Sequence, residues 1–268
     1  NGPIIFQKPI NIYDYDTPQS IASKIHLLEH FYYPFVINMI SENIIALEKE
    51  RVIIRDITST SKHALISVSD KTGIIGFAKE LNKRGYLIIS TGNTYKTLSS
   101  NGIKATSVEA VSGFEEILDG RVKTLNNIIF GAILATDDKK HIQQLNENFI
   151  PRIEIVVSNL YPFKEAAKKY QPFEKELIEN IDIGGVSLIR AAAKNYKNTM
   201  IITDNSDFDK ALKNLNSEDL KKELSIKAFR HTYNYDKMIY EKLSQADEVE
   251  IKLKKVFDLR YGENPHQK

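Results

Sequence analysis

Residues 63–94 read HALISVSDKTGIIGFAKELNKRGYLIISTGNT, and this stretch decides the fold. An apolar run over 64–68 is followed by a polar loop, a helical pattern that ends before Gly85, and a second apolar run over 86–89. A polar loop over 90–94 then begins the next unit. Strands and helices in alternation predict an α/β protein with a parallel sheet flanked by helices on both faces.

The same alternation continues along the chain. Residues 128–134 form a third apolar run in the place of a third strand, and residues 153–157 and 199–203 are predicted as the fourth and fifth strands. A helix is predicted over 186–194, and charged helical sequence extends from about 206 to 244.

Composition excludes several classes of protein. The 268 residues include 37 Lys+Arg against 35 Asp+Glu, a balance that argues against a protein that coats nucleic acid. Cysteine is absent, which excludes disulfides, thiolate nucleophiles and cysteine-ligated zinc. No apolar run approaches the roughly 20 residues of a membrane-spanning helix. We therefore expect a cytoplasmic protein without a membrane partner, and the abrupt start at Asn1 suggests a piece of a longer chain.

Residues 1–58 read differently from the rest. Segments 3–7 and 9–12 are predicted to be extended, and Thr17-Pro18 is a helix-start signal. The helical spacing that follows predicts one helix, with a kink at Pro34. One helix and two short strands cannot enclose a core, so this segment either packs on the following domain or lacks its partner.

Two loops at consecutive strand ends suit a phosphate. Residues 69–73 (SDKTG) and 90–94 (STGNT) combine hydroxyls, a lysine and a glycine at the start of a helix, where backbone amides are unpaired. Each loop alone also fits an ordinary helix cap or a tight turn. The pair favours one shared anionic ligand at the carboxyl edge of the sheet.

Three further groups offer acid–base chemistry. Arg121 and Lys123 project to the same side if segment 121–124 is extended, although a surface charge pair is the plainer interpretation. Asp182 precedes two glycines whose amides could stabilise an oxyanion, or it could only interact with a helix dipole. The alanines before Lys194 would let it pack closely and lose solvent, which would lower its pKa, unless it is an ordinary cation at a helix end.

The six histidines show no convincing metal spacing. His26 and His30 are one helical turn apart, but this pair is not enough for a metal site. We therefore predict chemistry by lysine, tyrosine and aspartate around an anion, without a metal.

Six motifs in order resemble one known family. They are SVSDKTG (67–73), STGNT (90–94), GFEEILDGRVKTL (113–125), NLYPF (159–163), NIDIGGVSLIRAAAKN (180–195) and LRYGENPHQ (259–267). Together they resemble the bifunctional AICAR transformylase/IMP cyclohydrolases of purine biosynthesis. The resemblance implies a methylglyoxal-synthase-like cyclohydrolase domain over 63–258 and the start of a transformylase domain over 259–268. The run of threonine and serine before Lys62 predicts a linker over 59–62.

The resemblance implies ring closure of 5-formamidoimidazole-4-carboxamide ribotide (FAICAR) to inosine monophosphate (IMP) without a cofactor. It assigns catalysis to Lys123, Tyr161, Asp182 and Lys194. It assigns substrate binding to Ser69, Lys71, Thr91, Gly92, Asn93, Thr94, Arg121, Thr124, Asn159, Gly184 and Gly185. It also implies a homodimer, and 10-formyltetrahydrofolate as cofactor of the transformylase domain that this chain lacks.

Two departures from the family stand near these residues. Asn93 occupies a position where the family usually has glycine, a mild change because asparagine tolerates positive φ. Leu125-Asn126-Asn127 stands where the family usually has Leu-His-Pro, which puts any role of that histidine in doubt.

Residues 1–58 carry a second resemblance, to the C-terminal end of glycinamide ribonucleotide (GAR) formyltransferase. NGPIIFQ (1–7), DTPQSIASKI (16–25) and EHFYYP (29–34) carry it. That family's catalytic aspartate would fall before Asn1, so we expect no formyl transfer from this segment. A docking arm or a linker between enzymes is the alternative.

The rival function for residues 63–258 is a non-catalytic phosphate-sensing domain, since related folds serve as allosteric modules. Arg121, Lys123, Tyr161 and Lys194 argue against it, because a sensor needs only the phosphate loops.

Overall fold

The computed structural model describes residues 2–41, 44–54, 62–245 and 253. The strands are β1 (Ile45–Glu48), β2 (Arg51–Ile54), β3 (Lys62–Val68), β4 (Tyr86–Ser90), β5 (Ala105–Ser107), β6 (Ile153–Asn159) and β7 (Met200–Ile202). The helices are α1 (Pro18–Ser41), α2 (Ile74–Lys83), α3 (Gly92–Ser100), α4 (Val108–Ser112), α5 (Asn127–Leu134), α6 (Lys139–Glu147), α7 (Phe163–Lys169), α8 (Lys175–Ile178), α9 (Gly184–Lys194), α10 (Phe208–Lys213) and α11 (Glu218–Ser244).

A five-stranded parallel sheet forms the centre, in the order β5-β4-β3-β6-β7. Ala64 of β3 pairs with Ile88 of β4 on one side and with Ile155 of β6 on the other. The predicted parallel sheet with helices on both faces is confirmed. Its strand order reverses at β3, so the loops after β3, β4 and β6 converge on one edge.

Alternate residues of each strand enter two separate apolar layers. Leu65, Ile89 and Val156 face a layer shared with α4, α5 and α9, whereas Ile66 and Ile88 face a layer shared with α2, α10 and α11. Side chains on successive strand residues point to opposite faces, so a strand buried on both faces has no polar side. This explains why the sequence shows continuous apolar runs and not an alternation.

The strand predicted over 128–134 is wrong, because these residues lie in helix α5. The Asn126 side chain caps this helix by accepting from the amide of Ile129 at 2.9 Å. The third strand of the sheet is instead the short β5, whose three residues are only half-buried. A short apolar run buried on several sides does not distinguish strand from helix by its period.

Residues 2–54 pack on the domain that follows them. Helix α1 starts at Pro18 as predicted, with Thr17 and Ser20 capping each other's backbone amides, and continues through Pro34. Its buried side chains Phe35 and Met39 join the same apolar layer as α4 and α5. Strands β1 and β2 form an antiparallel pair.

The extended segments predicted over 3–7 and 9–12 do not form strands. The predicted linker over 59–62 falls largely outside the described residues, and so does the segment 259–268. Within the described part of the chain, no helix combines the length and apolarity needed to cross a membrane.

Candidate active site

Side-chain hydroxyls connect the two predicted phosphate loops. The hydroxyls of Ser67 and Thr91 are 2.8 Å apart, and Thr94 Oγ1 donates to the carbonyl of Val68 at 3.0 Å. Thr91 and Thr94 are buried. These threonines therefore hold the ends of β3 and β4 together, and their assignment to substrate binding stays a prediction.

Asn159, at the end of β6, fastens the first loop to the sheet. Its Oδ1 accepts from the amides of Ser69 at 2.7 Å and Asp70 at 3.0 Å, and its Nδ2 donates to the carbonyl of Asp70. The amide group that the resemblance assigned to substrate is thus occupied by backbone, so Asn159 positions Ser69. Lys71 remains half-exposed beside the carbonyl of Ser69.

The second loop meets Lys123. Gly92 opens helix α3 with φ +38°, and a Cβ atom at this position would lie 3.4 Å from Nζ of Lys123. Unpaired amides at a helix N-terminus and an ammonium group at the same place attract an anion. Asn93, the next residue, is exposed.

Segment 121–124 is not extended, contrary to the prediction. Ile117 and Val122 form an antiparallel bridge, so Arg121 lies in the turn between them. Gly120, with φ +84°, lets Lys123 fold back over this turn, because a Cβ there would lie 2.7 Å from the lysine Cε.

Arg121 and Lys123 each form an ion pair with a carboxylate that the sequence analysis did not predict. Arg121 pairs with Glu179, and Lys123 Nζ lies 2.7 Å from Glu116 Oε2. Both pairs are partly exposed, so solvent screens them and they are weak. An entering anion can therefore compete with these carboxylates for the two cations. No local sequence signal indicated the pair with Glu179, which is 58 residues away from Arg121.

A half-buried carboxylate lies at the N-terminus of α9. Asp182 Oδ1 accepts from the amide of Gly185 at 2.7 Å, and the carboxyl group also accepts from the backbone of Tyr161. Burial raises the pKa of Asp182 against these two hydrogen bonds. Position 185 requires glycine, since a Cβ would lie 2.5 Å from Asp182 Oδ2.

The neighbouring side chains complete this end of the cleft. Thr124 is buried, and its Oγ1 would be 3.4 Å from a Cβ on Gly184. Tyr161 is exposed by 58 %. The predicted oxyanion role of the Gly185 amide is wrong for this arrangement, because that amide already donates to Asp182.

Within one copy of the chain, Lys194 does not lie near Asp182 and Thr124. It ends helix α9, ten residues after Gly184, which is about 15 Å along the axis at 1.5 Å per residue. The predicted desolvation of its amine is also wrong, because Lys194 is exposed. Its side chain stands at the opposite edge of the sheet from Asp182.

A further side chain connects the last strand to the first loop. Asn205 follows β7, and its Nδ2 donates to Asp70 Oδ2 at 2.8 Å. Asp70 also accepts from the amide and hydroxyl of Thr72. The loops after β3, β4, β6 and β7 thus meet at one edge, and the described residues contain no cluster of three or more potential metal ligands.

The arrangement is that of an α/β domain with partly exposed cations and helix N-termini at the carboxyl ends of its strands, and two family models match the chain. One, described as an MGS-like domain, matches residues 73–187, and the other, described as AICARFT/IMPCHase bienzyme, matches residues 192–268. The fold is therefore of the MGS-like class.

Two similar relatives carry the same name. The bifunctional purine biosynthesis protein PurH of Thermoanaerobacter sp. (strain X514) is 50% identical over 220 residues, which are 78% of this chain and 43% of the relative. PurH of Clostridioides difficile (strain 630) is 49% identical over 218 residues, 77% of this chain and 42% of the relative. The chain belongs to the family of bifunctional purine biosynthesis proteins PurH, and it spans less than half the length of these relatives.

A solved structure has the size of the α/β domain alone. The crystal structure of ForH is 31% identical, with a TM-score of 0.61, and the match covers 69% of this chain and 99% of that one. The two family models match residues 73–187 and 192–268, so the resemblance of residues 1–58 to GAR formyltransferase stays a prediction.

Proposed function

We propose that residues 63–258 are an IMP cyclohydrolase, which closes the ring of FAICAR to form IMP with loss of water. The position of segment 121–124 carries the proposal. Lys123 lies beside Gly92 at the N-terminus of α3, and Thr124 lies beside Gly184 at the N-terminus of α9. One short segment thus connects a phosphate-type loop with the half-buried carboxylate of Asp182.

The phosphate of the ribotide is assigned to the end of the cleft formed by β3 and β4. Ser69 and Lys71 stand in the first loop, and the α3 amides after Thr91 face the second. Thr91 makes no side-chain hydrogen bond to a backbone amide of that helix, and this leaves the first-turn amides to a ligand. Arg121 and Lys123 add positive charge beside them.

Ring closure requires two proton movements. The carboxamide nitrogen attacks the formyl carbon, forming a C–N bond while one N–H proton passes to the formyl oxygen. The resulting hydroxyl then leaves as water by C–O cleavage, taking its second proton from the former formamide nitrogen, which forms the C=N bond. Groups that hold and return protons beside the reacting atoms accelerate both steps.

We assign the proton movements to Asp182 and Lys123, and contact with the formyl oxygen to Tyr161. The raised pKa of Asp182 supports its role, because an acid moved toward neutral pH exchanges protons more readily at that pH. Lys194 is left out of the assignment because it stands about 15 Å along α9 from Gly184.

Incubation of the purified chain with FAICAR tests the proposal. Formation of IMP, followed by its ultraviolet absorbance, is the expected result, with Tyr161→Phe and Asp182→Asn reducing it. Saturable binding of FAICAR without IMP formation would overturn it and would favour the phosphate-sensing domain.

The bifunctional relatives support a proposal about the wider protein. We propose that the chain works as part of a fused cytoplasmic purine enzyme, with 10-formyltetrahydrofolate used by a transformylase domain and not by residues 63–258. A homodimer is part of the same proposal. Sedimentation of the purified chain measures that state.

A further inference from the structure

The N-terminal arm, residues 2–41, is bound to the α/β domain by a chain of hydrogen bonds. Lys8 Nζ donates to Tyr32 OH at 2.6 Å and to the carbonyl of Val111 at 3.2 Å, and Tyr32 OH donates to the same carbonyl at 2.6 Å. Burial raises the pKa of the Tyr32 phenol, which keeps its proton available for donation. Burial also lowers the pKa of Lys8 to about 8.

The carbonyl that receives these bonds lies at the end of α4. The last carbonyls of a helix have no partner within the helix, so the arm satisfies one of them. Gly113, next after α4, has φ +76°, and a Cβ there would lie 2.9 Å from Lys8 Cε. The lysine stem thus covers the first residue of segment 113–125.

Aromatic packing holds the arm in this position. The rings of Phe6 and Tyr32 stack at 4.5 Å, and Phe6 meets Phe149 edge-to-face at 4.9 Å. Further along α1, Phe35 contacts the ring of His63 on β3. Aromatic pairs in these geometries stabilise a contact beyond the burial of their surface.

Segment 113–125 is held at its two ends, and between them by the Arg121–Glu179 ion pair and the buried Thr124. Residues 114–119 are exposed, and Ile117 and Val122 form a bridge only with each other. One end is fixed by the Asn126 cap of α5, and the other by the contacts of the arm with α4 and Gly113. Lys123 lies inside this segment.

We propose that the N-terminal arm is a latch on α4 that positions segment 113–125, with Lys8 and Tyr32 as positioning residues for Lys123. The catalytic part of this statement rests on the proposed cyclohydrolase function, whereas the structural part does not. The arm lies outside both family models, so the latch is an addition to the domain that they describe.

Hydrogen exchange of the whole chain tests the structural part. Tyr32→Phe and Lys8→Met are compared with Tyr33→Phe and Lys79→Met, whose side chains are exposed. The first two variants are expected to raise exchange of the bonded amides of Ile117 and Val122 roughly fivefold, while β6 is unchanged. Unchanged exchange over 113–125 in both variants overturns the latch, whatever the chain catalyses.

Steady-state kinetics with FAICAR test the catalytic part. A displaced Lys123 is expected to raise KM roughly fivefold and to lower kcat, whereas a smaller folded fraction lowers kcat alone. If exchange over 113–125 rises and KM stays at the parent value, the arm only stabilises the fold and positioning is overturned. If the parent chain forms no IMP, the proposed function fails and the exchange result still decides the latch.

Discussion

The two edges of the central sheet carry similar polar residues and use them differently. At the amino edge, Asn195 donates to the carbonyls of Ile133 and Ala135, and Thr199 donates to that of Ile133 and to the carbonyl of Ile153. Both side chains are buried. Their polar groups hydrogen-bond to backbone carbonyls within the protein.

At the carboxyl edge, side-chain hydroxyls and amides also bond to the backbone of the loops. The charged side chains beside them remain accessible to solvent. Thr94 and Asn159 bond to backbone, while Lys71, Arg121 and Lys123 remain partly exposed around the N-termini of α3 and α9. Helices that follow parallel strands direct their N-termini to this edge, so the helix dipoles favour an anion here and a cation at the other edge. The edge, more than the residue type, decides whether a polar group can bind ligand.

Lys123 and Lys194 give the largest expected contrast between the edges. Lys123→Met is expected to lower kcat/KM for FAICAR by about 10²–10⁴-fold, the usual contribution of a general acid or base. Lys194→Met at the amino edge is expected to change it less than about threefold, because an exposed surface side chain seldom couples to a site that far away. Equal losses of kcat/KM in the two variants would contradict this comparison. They would mean that a second copy of the chain or another domain brings Lys194 to the reacting groups.

Gly185 is expected to tolerate no side chain. Gly185→Ala places a Cβ 2.5 Å from Asp182 Oδ2 and should cost about 2–3 kcal/mol of unfolding free energy, as overpacking does. Gly76→Ala is the matched control, because Gly76 lies in α2 with open space around it and alanine favours a helix by about 1 kcal/mol. Urea unfolding measures both, and a stable Gly185→Ala variant would contradict the contact.

Asn195 is expected to affect stability without affecting the chemistry. Asn195→Ala leaves two buried carbonyls with fewer partners, at a cost of about 1–3 kcal/mol. The activity per folded molecule should stay at the parent value, since the residue lies at the amino edge. A changed KM at full folding would show that the edges are coupled.

The smallest expected effect is the pH dependence of stability that Asp182 and Asp70 cause, with opposite signs for the two residues. The raised pKa of Asp182 means that the folded state holds this proton more tightly, so its contribution to stability is present below the ordinary value of 3.8 and is lost as pH rises through the raised pKa. The hydrogen bonds from Thr72 lower the pKa of Asp70, so its contribution is present above 3.8 and is lost as pH falls.

The asparagine variants separate these two carboxyl groups. Relative to the parent, Asp182→Asn should gain stability as pH rises from 3.8 through the raised pKa, whereas Asp70→Asn should lose stability as pH rises through the lowered pKa to 3.8. Urea unfolding over a pH series on both sides of 3.8 measures this, and slopes of the same sign would remove the assignment of burial as the cause for Asp182.

Local sequence was enough to predict much of the sheet and the loops. The apolar runs that became β3, β4, β6 and β7 are short and are bounded by glycine and hydroxyl residues, and these signals need no knowledge of the fold. The same local chemistry predicted phosphate-type loops at 69–73 and 90–94. The motifs also carried the family resemblance, because they are long and occur in order.

Packing decided what local signals could not. Residues 128–134 are helical because they lie between α4 and α9, and Lys123 meets Gly92 because a turn built on Gly120 folds it back. Arg121 pairs with Glu179, and the arm packs on α4. Both contacts join residues that are far apart in sequence. The length of α9 places Lys194 away from Asp182. Secondary structure follows from the period and chemistry of neighbouring residues, whereas distances between loops depend on how whole elements bury their apolar faces, and this is a property of the complete fold.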